Sequence, residues 1–177
     1  MILSKQDIEN CISKGDLVIS PFDKDNLGPS DINLRISRKY SRIRSIAREL
    51  DLRTIKNEEE YIKRGYFMIE ETSEYTIQPN EHLLIESLEN LEVPTYLAAF
   101  IGLRSTFSRL GLNTPPTLVD PGFNGILVFH LIGSSFPIKL HEGMAIFKVI
   151  FMNISSDTEG YEGRYQGQRG IILPKRD

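Results

Sequence analysis

Short apolar segments closed by turn-forming residues are the feature that most constrains what this chain can fold into. Pro79, Pro94 and Gly143 are among the residues that separate them. Short β-type runs between turn residues are typical of strands, and many such strands in one chain favour a sandwich or a barrel. We therefore expect a mainly β fold, with strands at residues 17–19, 32–36, 66–69, 74–77, 82–86, 96–103, 125–132 and 145–152.

One short helix is predicted before the first strand. Ser4 can cap it, Asp7 stands three residues later as in a capping box, and Gly15 can end it. Ile8 and Ile12 share one face of that helix. We expect this face to dock on the sheet.

The composition limits the class of protein. The 177 residues carry a net charge of −3 and one cysteine, Cys11, which has no partner for an internal disulfide. No signal peptide, no membrane-spanning run and no zinc-ligand spacing is evident. We therefore expect one cytoplasmic domain without a membrane partner, and any metal ion should arrive with a phosphorylated substrate.

Seven basic residues lie within residues 35–53 and could form a patch for a polyanion. Apolar residues are interleaved with them, and the overall charge is acidic, so we interpret the run as a solvated face and loop. A nucleic acid partner is not expected. The seven residues are Arg35, Arg38, Lys39, Arg42, Arg44, Arg48 and Arg53.

Residues 104–109 offer donors for an anion. Arg104, Ser105 and Thr106 follow an apolar strand, and Arg109 comes one helical turn later. A guanidinium fork and hydroxyls suit phosphate oxygens. The same residues could instead cap a short helix or pair with a surface acid.

Asp120 ends a strand at the turn formed by residues 121–125. Its carboxylate could hold a water or a sugar hydroxyl, or it could satisfy local N–H groups in an Asx turn. Phe123 could pack on a deoxyribose or on the protein's own core. From residue 160 onward four glycines stand among polar and aromatic residues. This segment is either an arm that orders over a ligand or a frayed tail.

Several motifs in register give the chain a family resemblance: MILSKQDIENCI, LVISPF, GPSDINLRI, RSTFSRLGL, DPGFNG, EGMAIFKVIF and RYQGQRG. Together they resemble the dCTP deaminase and trimeric dUTPase superfamily, most of all the archaeal-type dUTPase branch of the dCTP deaminase family. The resemblance implies a single dUTPase-like domain over residues 1–177, folded as a distorted β-barrel or jelly roll with a short N-terminal helix. It also implies a flexible C-terminal arm at about residues 160–177 and a homotrimer with sites at the subunit interfaces.

The resemblance also implies roles for individual residues. Asp120 and Arg109 would be catalytic, with Asp120 contacting the 3′-hydroxyl and positioning water, and Mg²⁺ would be bound with the triphosphate. The remaining nucleotide-binding or phosphate-binding residues would be Arg104, Ser105, Thr106, Phe123, Tyr161, Arg164, Tyr165 and Gln168.

Three departures from the family pattern bear on the reaction. His130 stands where the deaminases have a glutamate that activates water, and we interpret it as a satisfied buried histidine rather than a catalytic one. Residues 113–117 form a shortened Pro-Pro-Thr loop. Asn33 replaces a motif aspartate, and Asp31 could substitute for it.

These departures favour a dUTPase, which converts dUTP and water to dUMP and pyrophosphate. Three alternatives stay open. They are dCTP deamination with His130 in the glutamate's place, a non-catalytic nucleotide-binding protein, and a nucleic-acid module built on residues 35–53.

Overall fold

The computed structural model describes residues 1–46, 49–156 and 158–175. Three α-helices are described: α1 (Lys5–Lys14), α2 (Glu58–Lys63) and α3 (Ser105–Arg109). The described strands are β1 (Val18–Ser20), β2 (Ile32–Ile43), β3 (Phe67–Glu71), β4 (Glu74–Ile77), β5 (His82–Glu92), β6 (Leu97–Leu103), β7 (Thr117–Val119), β8 (Asn124–Ile132), β9 (Ile138–His141) and β10 (Ala145–Asn153).

Antiparallel pairing joins eight of the strands into one curled sheet. Its order is β1-β5-β2-β10-β6-β7, with β8 added to β5 and β3 added to β2, while β4 and β9 form a separate pair. The expected mainly β fold is confirmed. Strand β5 is central because it pairs with β1, β2 and β8.

Alternation of side chains builds the core. Leu127, Phe129 and Leu131 of β8 point inward and are buried, and Phe129 stacks on Phe147 with ring centroids 3.7 Å apart. Period-two alternation over a half-buried sheet produces this pattern. The core lies inside the curl, so the opposite face of β8 and β5 is left for other contacts.

Helix α1 forms as the sequence predicts. The Ser4 hydroxyl accepts a hydrogen bond from the Asp7 backbone N–H at 3.3 Å, and the Asp7 carboxylate accepts one from the Ser4 N–H at 3.1 Å. Gly15 ends the helix with φ 79°. Ile8 is fully buried against the sheet.

The basic run is largely paired with carboxylates. Arg35 contacts Glu89, Arg38 contacts Glu142, and Arg42 contacts both Glu70 and Glu81. Arg53 pairs with Asp51, whereas Arg48 lies outside the described residues. The interpretation as a solvated face is wrong for Arg35 and Arg42, whose side chains are mostly buried because they bridge strands of the sheet.

A second, smaller core joins α2 to the C-terminal segment. Ile55, Tyr61, Phe67 and Leu173 form this cluster, and Ile171 packs against it. The end of the chain is therefore packed on the sheet and on α2. Within the described part of the chain, no helix is long and apolar enough to cross a membrane.

Candidate functional site

An open cleft of about 330 Å³ lies between the sheet and the C-terminal segment. Its volume is at the lower end of the range of small-molecule sites. The sheet and its turns contribute Leu84, Ile101, Thr117, Leu118, Val119, Asp120, Phe123, Leu127 and Val128, and the C-terminal segment contributes Tyr161, Tyr165, Gln168, Ile172 and Pro174.

Asp120 lies at the wall of this cleft. The turn after it is closed by its backbone, since the Phe123 N–H donates to the Asp120 carbonyl at 3.2 Å. Among the described residues, none donates a hydrogen bond to the Asp120 carboxylate or forms an ion pair with it. The Asx-turn alternative is therefore not the one the fold adopts, and the carboxylate stays available to a ligand.

The C-terminal arm, residues 160–175, begins where the chain crosses the turn at Gly122. The Tyr161 N–H donates to the Pro121 carbonyl at 2.8 Å, and the Tyr161 ring lies 6.1 Å from the Phe123 ring at 51°. A Cβ added to Gly122 would stand 2.6 Å from the Gly160 Cα. Only glycine permits this close crossing at φ 80°.

Beyond the turn, the arm runs along the free edge of β8. The Gly167 N–H donates to the Asn124 carbonyl at 2.7 Å, and the Ile126 N–H donates to the Gln168 carbonyl at 3.1 Å. The Gln168 side chain donates to the Ile126 carbonyl. The arm thus forms a roof over the cleft and is fixed to one wall by backbone pairing.

The tip of the arm is tied back on itself. The Tyr165 hydroxyl accepts from the Lys175 N–H at 3.3 Å, and Arg164 donates to the Lys175 carbonyl at 3.0 Å. Tyr165 lines the cleft, but Arg164 does not. Of the four predicted arm residues, Tyr161, Tyr165 and Gln168 therefore meet at the cleft.

The predicted phosphate-binding residues lie elsewhere on the chain. Helix α3 begins after β6, whose Ile101 lines the cleft, but Arg104, Ser105, Thr106 and Arg109 do not line it. Arg104 donates to the Ala145 carbonyl at 2.7 Å. Arg109 is exposed and, within the described part of the chain, has no hydrogen-bond or ion-pair partner.

His130 departs from its predicted environment. It shares a face with Val128, as expected, but that face is the outer one, because the buried face is occupied by Phe129 and its neighbours. His130 is half-buried, and its Nε2 lies 2.8 Å from the Nδ1 of His82. Burial, together with the positive charge that His82 can carry, lowers the pKa of His130.

Glu86 is a buried carboxylate that the sequence did not single out. Its Oε1 accepts from the Ser37 hydroxyl at 2.6 Å, while Oε2 is buried without a hydrogen-bond partner among the described atoms. It stands opposite Val128 in the β5–β8 pairing. A glutamate inside an otherwise apolar strand segment was the available signal.

The residues around Asn33 do not form a metal centre. Asn33 donates to the Asn26 carbonyl at 3.1 Å, and the suggested substitute, Asp31, pairs with Lys148 at 3.0 Å. The described residues contain no group of three or more potential metal-binding side chains. The Asp120 carboxylate, which has no partner among the described residues, fits a magnesium ion that is carried mainly by triphosphate oxygens.

The fold falls in the dCTP deaminase and dUTPase superfamily. A solved structure of the 2′-deoxycytidine 5′-triphosphate deaminase from Agrobacterium tumefaciens matches with a TM-score of 0.65, over 85% of this chain and 47% of that one. At 18% identity, this match shows the shared fold. A family model described as dCTP deaminase-like matches residues 2–154, and this chain belongs to that family. The superfamily predicted from the motifs is confirmed.

Curated relatives match nearly the whole chain. A dCTP deaminase from Acidianus ambivalens is 37% identical over 180 residues, covering 99% of this chain and 98% of the relative. One from Aeropyrum pernix is 38% identical over 176 residues, covering 99% and 96%. A protein of Sulfolobus islandicus rod-shaped virus 1, named a probable deoxyuridine 5′-triphosphate nucleotidohydrolase, is 37% identical over 178 residues and covers both chains completely.

Proposed function

We propose that this enzyme is a dCTP deaminase, which converts dCTP and water to dUTP and ammonia. The observation that carries a nucleotide-binding role is the Asp120 carboxylate, which has no partner among the described residues and lies in a cleft roofed by the arm. The choice of reaction rests on the relatives named dCTP deaminase, which match this chain at 37–38% identity over 99% of its length. This proposal replaces dUTP hydrolysis, the reaction that the sequence alone favours.

The cleft residues suit a deoxynucleoside. Asp120 can accept a hydrogen bond from the 3′-hydroxyl, and the Tyr161 ring offers apolar surface to the sugar. Phe123 is only 6% exposed and belongs to the main core, so it packs on the protein rather than on the ligand. The arm can exclude bulk water when the nucleotide is bound, which strengthens the polar contacts inside. Gln168, held to β8, would fix one wall against the base.

The triphosphate would be bound by α3 of a neighbouring subunit. Arg104, Ser105, Thr106 and Arg109 supply guanidinium and hydroxyl donors for phosphate oxygens, and Arg109 is exposed without a partner among the described residues. Mg²⁺ bound with the triphosphate would neutralise part of its charge. A site completed between subunits accounts for the separation of the predicted residues into two groups.

A homotrimer is supported by an apolar outer face on β6 and β7. Phe100 and Leu118 are direct cross-strand partners and are 45% and 46% exposed. Exposed apolar patches of this kind mark interaction surfaces, and closed rings of identical subunits are a common way to cover them. The cytoplasmic location expected from the sequence stays a prediction.

The proposal is tested with dCTP and dUTP as separate substrates, with Mg²⁺, scoring ammonia and pyrophosphate. We expect ammonia from dCTP. Asp120→Asn should lower turnover and nucleotide affinity, whereas Asp25→Asn, at an exposed position far along the chain from the cleft residues, should change neither. Ammonia release that is the same in wild type and Asp120→Asn would exclude this cleft as the site.

A second candidate is dUTP hydrolysis, favoured by two observations. The position of the family's deaminase glutamate holds His130, and one full-length relative is named a probable dUTP nucleotidohydrolase. In that reaction Asp120 would orient or deprotonate the water that attacks the α-phosphorus. Pyrophosphate from dUTP, without ammonia from dCTP, would select this candidate. Saturable nucleotide binding with neither product would select the non-catalytic alternative.

A further inference from the structure

Two of the three histidines of this chain meet on the outer face of the sheet. His82 begins β5 and His130 lies near the end of β8, and their rings stack with centroids 5.0 Å apart and planes 25° apart. The 2.8 Å between His82 Nδ1 and His130 Nε2 is a hydrogen-bond distance. The two imidazoles therefore form a hydrogen-bonded pair.

The strand register places this pair beside the cleft. His130 is directly opposite Leu84 and follows Val128 on the same face of β8. Leu84 and Val128 both line the cleft. Since successive side chains on one face of a strand are separated by about 7 Å, His130 is the next side chain beyond the cleft wall.

The pair is suited to carrying one positive charge rather than two. One N–H lies between His82 Nδ1 and His130 Nε2, and protonation of both rings would bring two cations into contact. The lowered pKa of His130 agrees with this. His130 Nδ1 is then the ring nitrogen left for a ligand, while His82 is exposed to solvent.

Among the residues that the structure describes, no carboxylate forms a hydrogen bond or an ion pair with either imidazole. Beside His82, Glu81 is engaged by Arg42. On the same face of β5, Glu86 is held by the Ser37 hydroxyl. From the loop before β7, the Thr114 hydroxyl donates to the His130 carbonyl at 2.7 Å, which fixes the backbone that carries the imidazole.

We propose that His82 and His130 act as one proton-carrying pair at the end of the nucleotide cleft, with His130 meeting the substrate and His82 as its positioning residue. This inference rests on the proposed deaminase function. This proposal gives His130 a catalytic role, whereas the sequence alone indicated a satisfied buried histidine. His82 holds the ring orientation and exchanges protons with solvent.

The reaction step balances with the pair unchanged at its end. His130 takes a proton from water as the water oxygen forms a bond to C4 of cytosine. The C4–N4 bond then breaks, and the electron pair leaves with the amine. One of the two water protons ends on ring N3 and the other leaves in ammonia, so the base becomes uracil.

The test compares variants of the pair with the third histidine as a control. His130→Gln should lower ammonia release from dCTP by about 100-fold or more, the usual contribution of a general base. His82→Phe, which keeps a stacked ring but no hydrogen bond, should lower kcat by about 10-fold with little change in KM, and His82→Asn should recover part of the loss. His141→Asn, on β9, should behave as wild type.

A second readout separates a positioning role from a merely structural one. In NMR titrations of the histidine imidazoles, the pKa of His130 should be higher in His82→Asn than in wild type, because the charge that helps to lower it is removed. The acid limb of the pH–rate profile should then move to higher pH. If the pKa of His130 and the acid limb of the pH–rate profile are both the same in His82→Asn as in wild type, the proposed coupling between His82 and His130 is overturned.

Failure of the pair and failure of the proposed function give different results. Equal ammonia release by wild type and His130→Gln would overturn the pair and leave the deaminase intact. If wild type forms no ammonia, the deaminase proposal fails and the pair is judged by titration alone. A His130 resonance that shifts on adding dCTP and on His82→Asn supports the pair beside the cleft, and one that responds to neither refutes it.

Discussion

Arg35 and Glu89 form the most buried ion pair that joins two central strands. Glu89 of β5 accepts from the Arg35 backbone N–H at 2.9 Å and from its Nε at 2.7 Å, and the Glu89 side chain is only 3% exposed. Burial raises the pKa of Glu89 above its usual value, while Arg35 acts in the opposite direction. The Glu89 carboxylate therefore depends on Arg35 to offset the cost of its desolvation.

Replacing Arg35 by Met should destabilise the protein by about 3 kcal/mol at pH 7, because a buried charge is left without its partner. The loss should shrink as the pH falls. A Glu whose pKa is raised in the folded state is least destabilising where it is protonated, and Arg35→Met raises that pKa further. Urea unfolding at pH 7 and pH 5 measures both effects.

The control for this prediction is Arg38→Met. Arg38 pairs with Glu142 on the surface, where exposed ion pairs contribute little. Arg38→Met should therefore leave the urea midpoint of unfolding unchanged at pH 7 and at pH 5. If Arg35→Met loses the same amount of stability at pH 7 and at pH 5, the assigned role of Glu89 is contradicted.

Single residues show what the sequence could predict about the site. Asp120 and Gln168 were identified from motifs, and both line the cleft. For His130 the alternation correctly predicted which residues share its face, but period two cannot say which face is buried. That depends on how the sheet curls, which is decided by contacts between distant strands.

At the scale of elements, the arm is held by geometry more than by side-chain chemistry. It crosses the turn at Gly122, pairs with the edge of β8 and ends in the small core with Leu173. The Leu173 N–H donates to Glu58 of α2 at 3.2 Å. The arm that roofs the cleft is therefore anchored on α2, an element far from Asp120 in the sequence.

Gly122→Ala should loosen the arm. The added Cβ would meet the Gly160 backbone at 2.6 Å, and φ is 80°, so the arm must shift as well as the turn. We expect faster tryptic cleavage at Arg164 and Arg169, together with weaker nucleotide binding. Limited proteolysis followed by mass spectrometry measures the first effect.

Gly143→Ala is the matched control. Gly143 also has a positive φ of 83°, but a Cβ there meets nothing within 4 Å. Both variants should lose about 1 kcal/mol of stability from backbone strain. Equal cleavage of the arm in the two variants would show that the crossing at Gly122 does not hold it.

Predictions of elements from the sequence were best where local signals were complete. The capping box and Gly15 gave α1 correctly, and the apolar runs gave most strands. Strand β2 continues to Ile43, and β5 continues to Glu92, beyond the predicted runs. Their additional residues mix charged side chains such as Glu89 and Arg42, which pair with partners on neighbouring strands, with buried apolar ones such as Leu91. Such pairing is invisible in one segment alone.

For the whole molecule, the separation of the two predicted groups is the main finding. The cleft collects Asp120, Phe123 and three arm residues, whereas α3 presents Arg109 to solvent. The motifs predicted that residues 104–109 and Asp120 both serve the nucleotide site, and the family resemblance placed such sites at subunit interfaces. In one subunit the α3 residues do not line the cleft that holds Asp120, and a ring of identical subunits could bring the two groups together.

Mixing two inactive variants tests this arrangement. Arg109→Ala and Asp120→Asn should each be nearly inactive, but trimers refolded from an equal mixture should regain about a quarter of wild-type activity, since one site in four combines both intact residues. Activity at the level of the separate variants would show that both residues serve the same subunit's site. Sedimentation of each variant confirms that trimers are present.

The apolar face should control assembly. Phe100→Lys places a charge in the proposed interface and should produce folded monomers, seen by sedimentation velocity with an unchanged circular dichroism spectrum. Ile62→Lys, at an exposed position of α2 with 45% exposure, is the control and should remain trimeric. A wild-type monomer would contradict the proposed trimer.

A time course with dCTP as sole substrate tests the central claim most directly. With Mg²⁺ present, nucleotides separated by chromatography should show dCTP converted to dUTP, with one ammonia released for each dCTP consumed. Unchanged dCTP, alongside conversion of separately supplied dUTP to dUMP and pyrophosphate, would contradict the deaminase and establish dUTP hydrolysis instead.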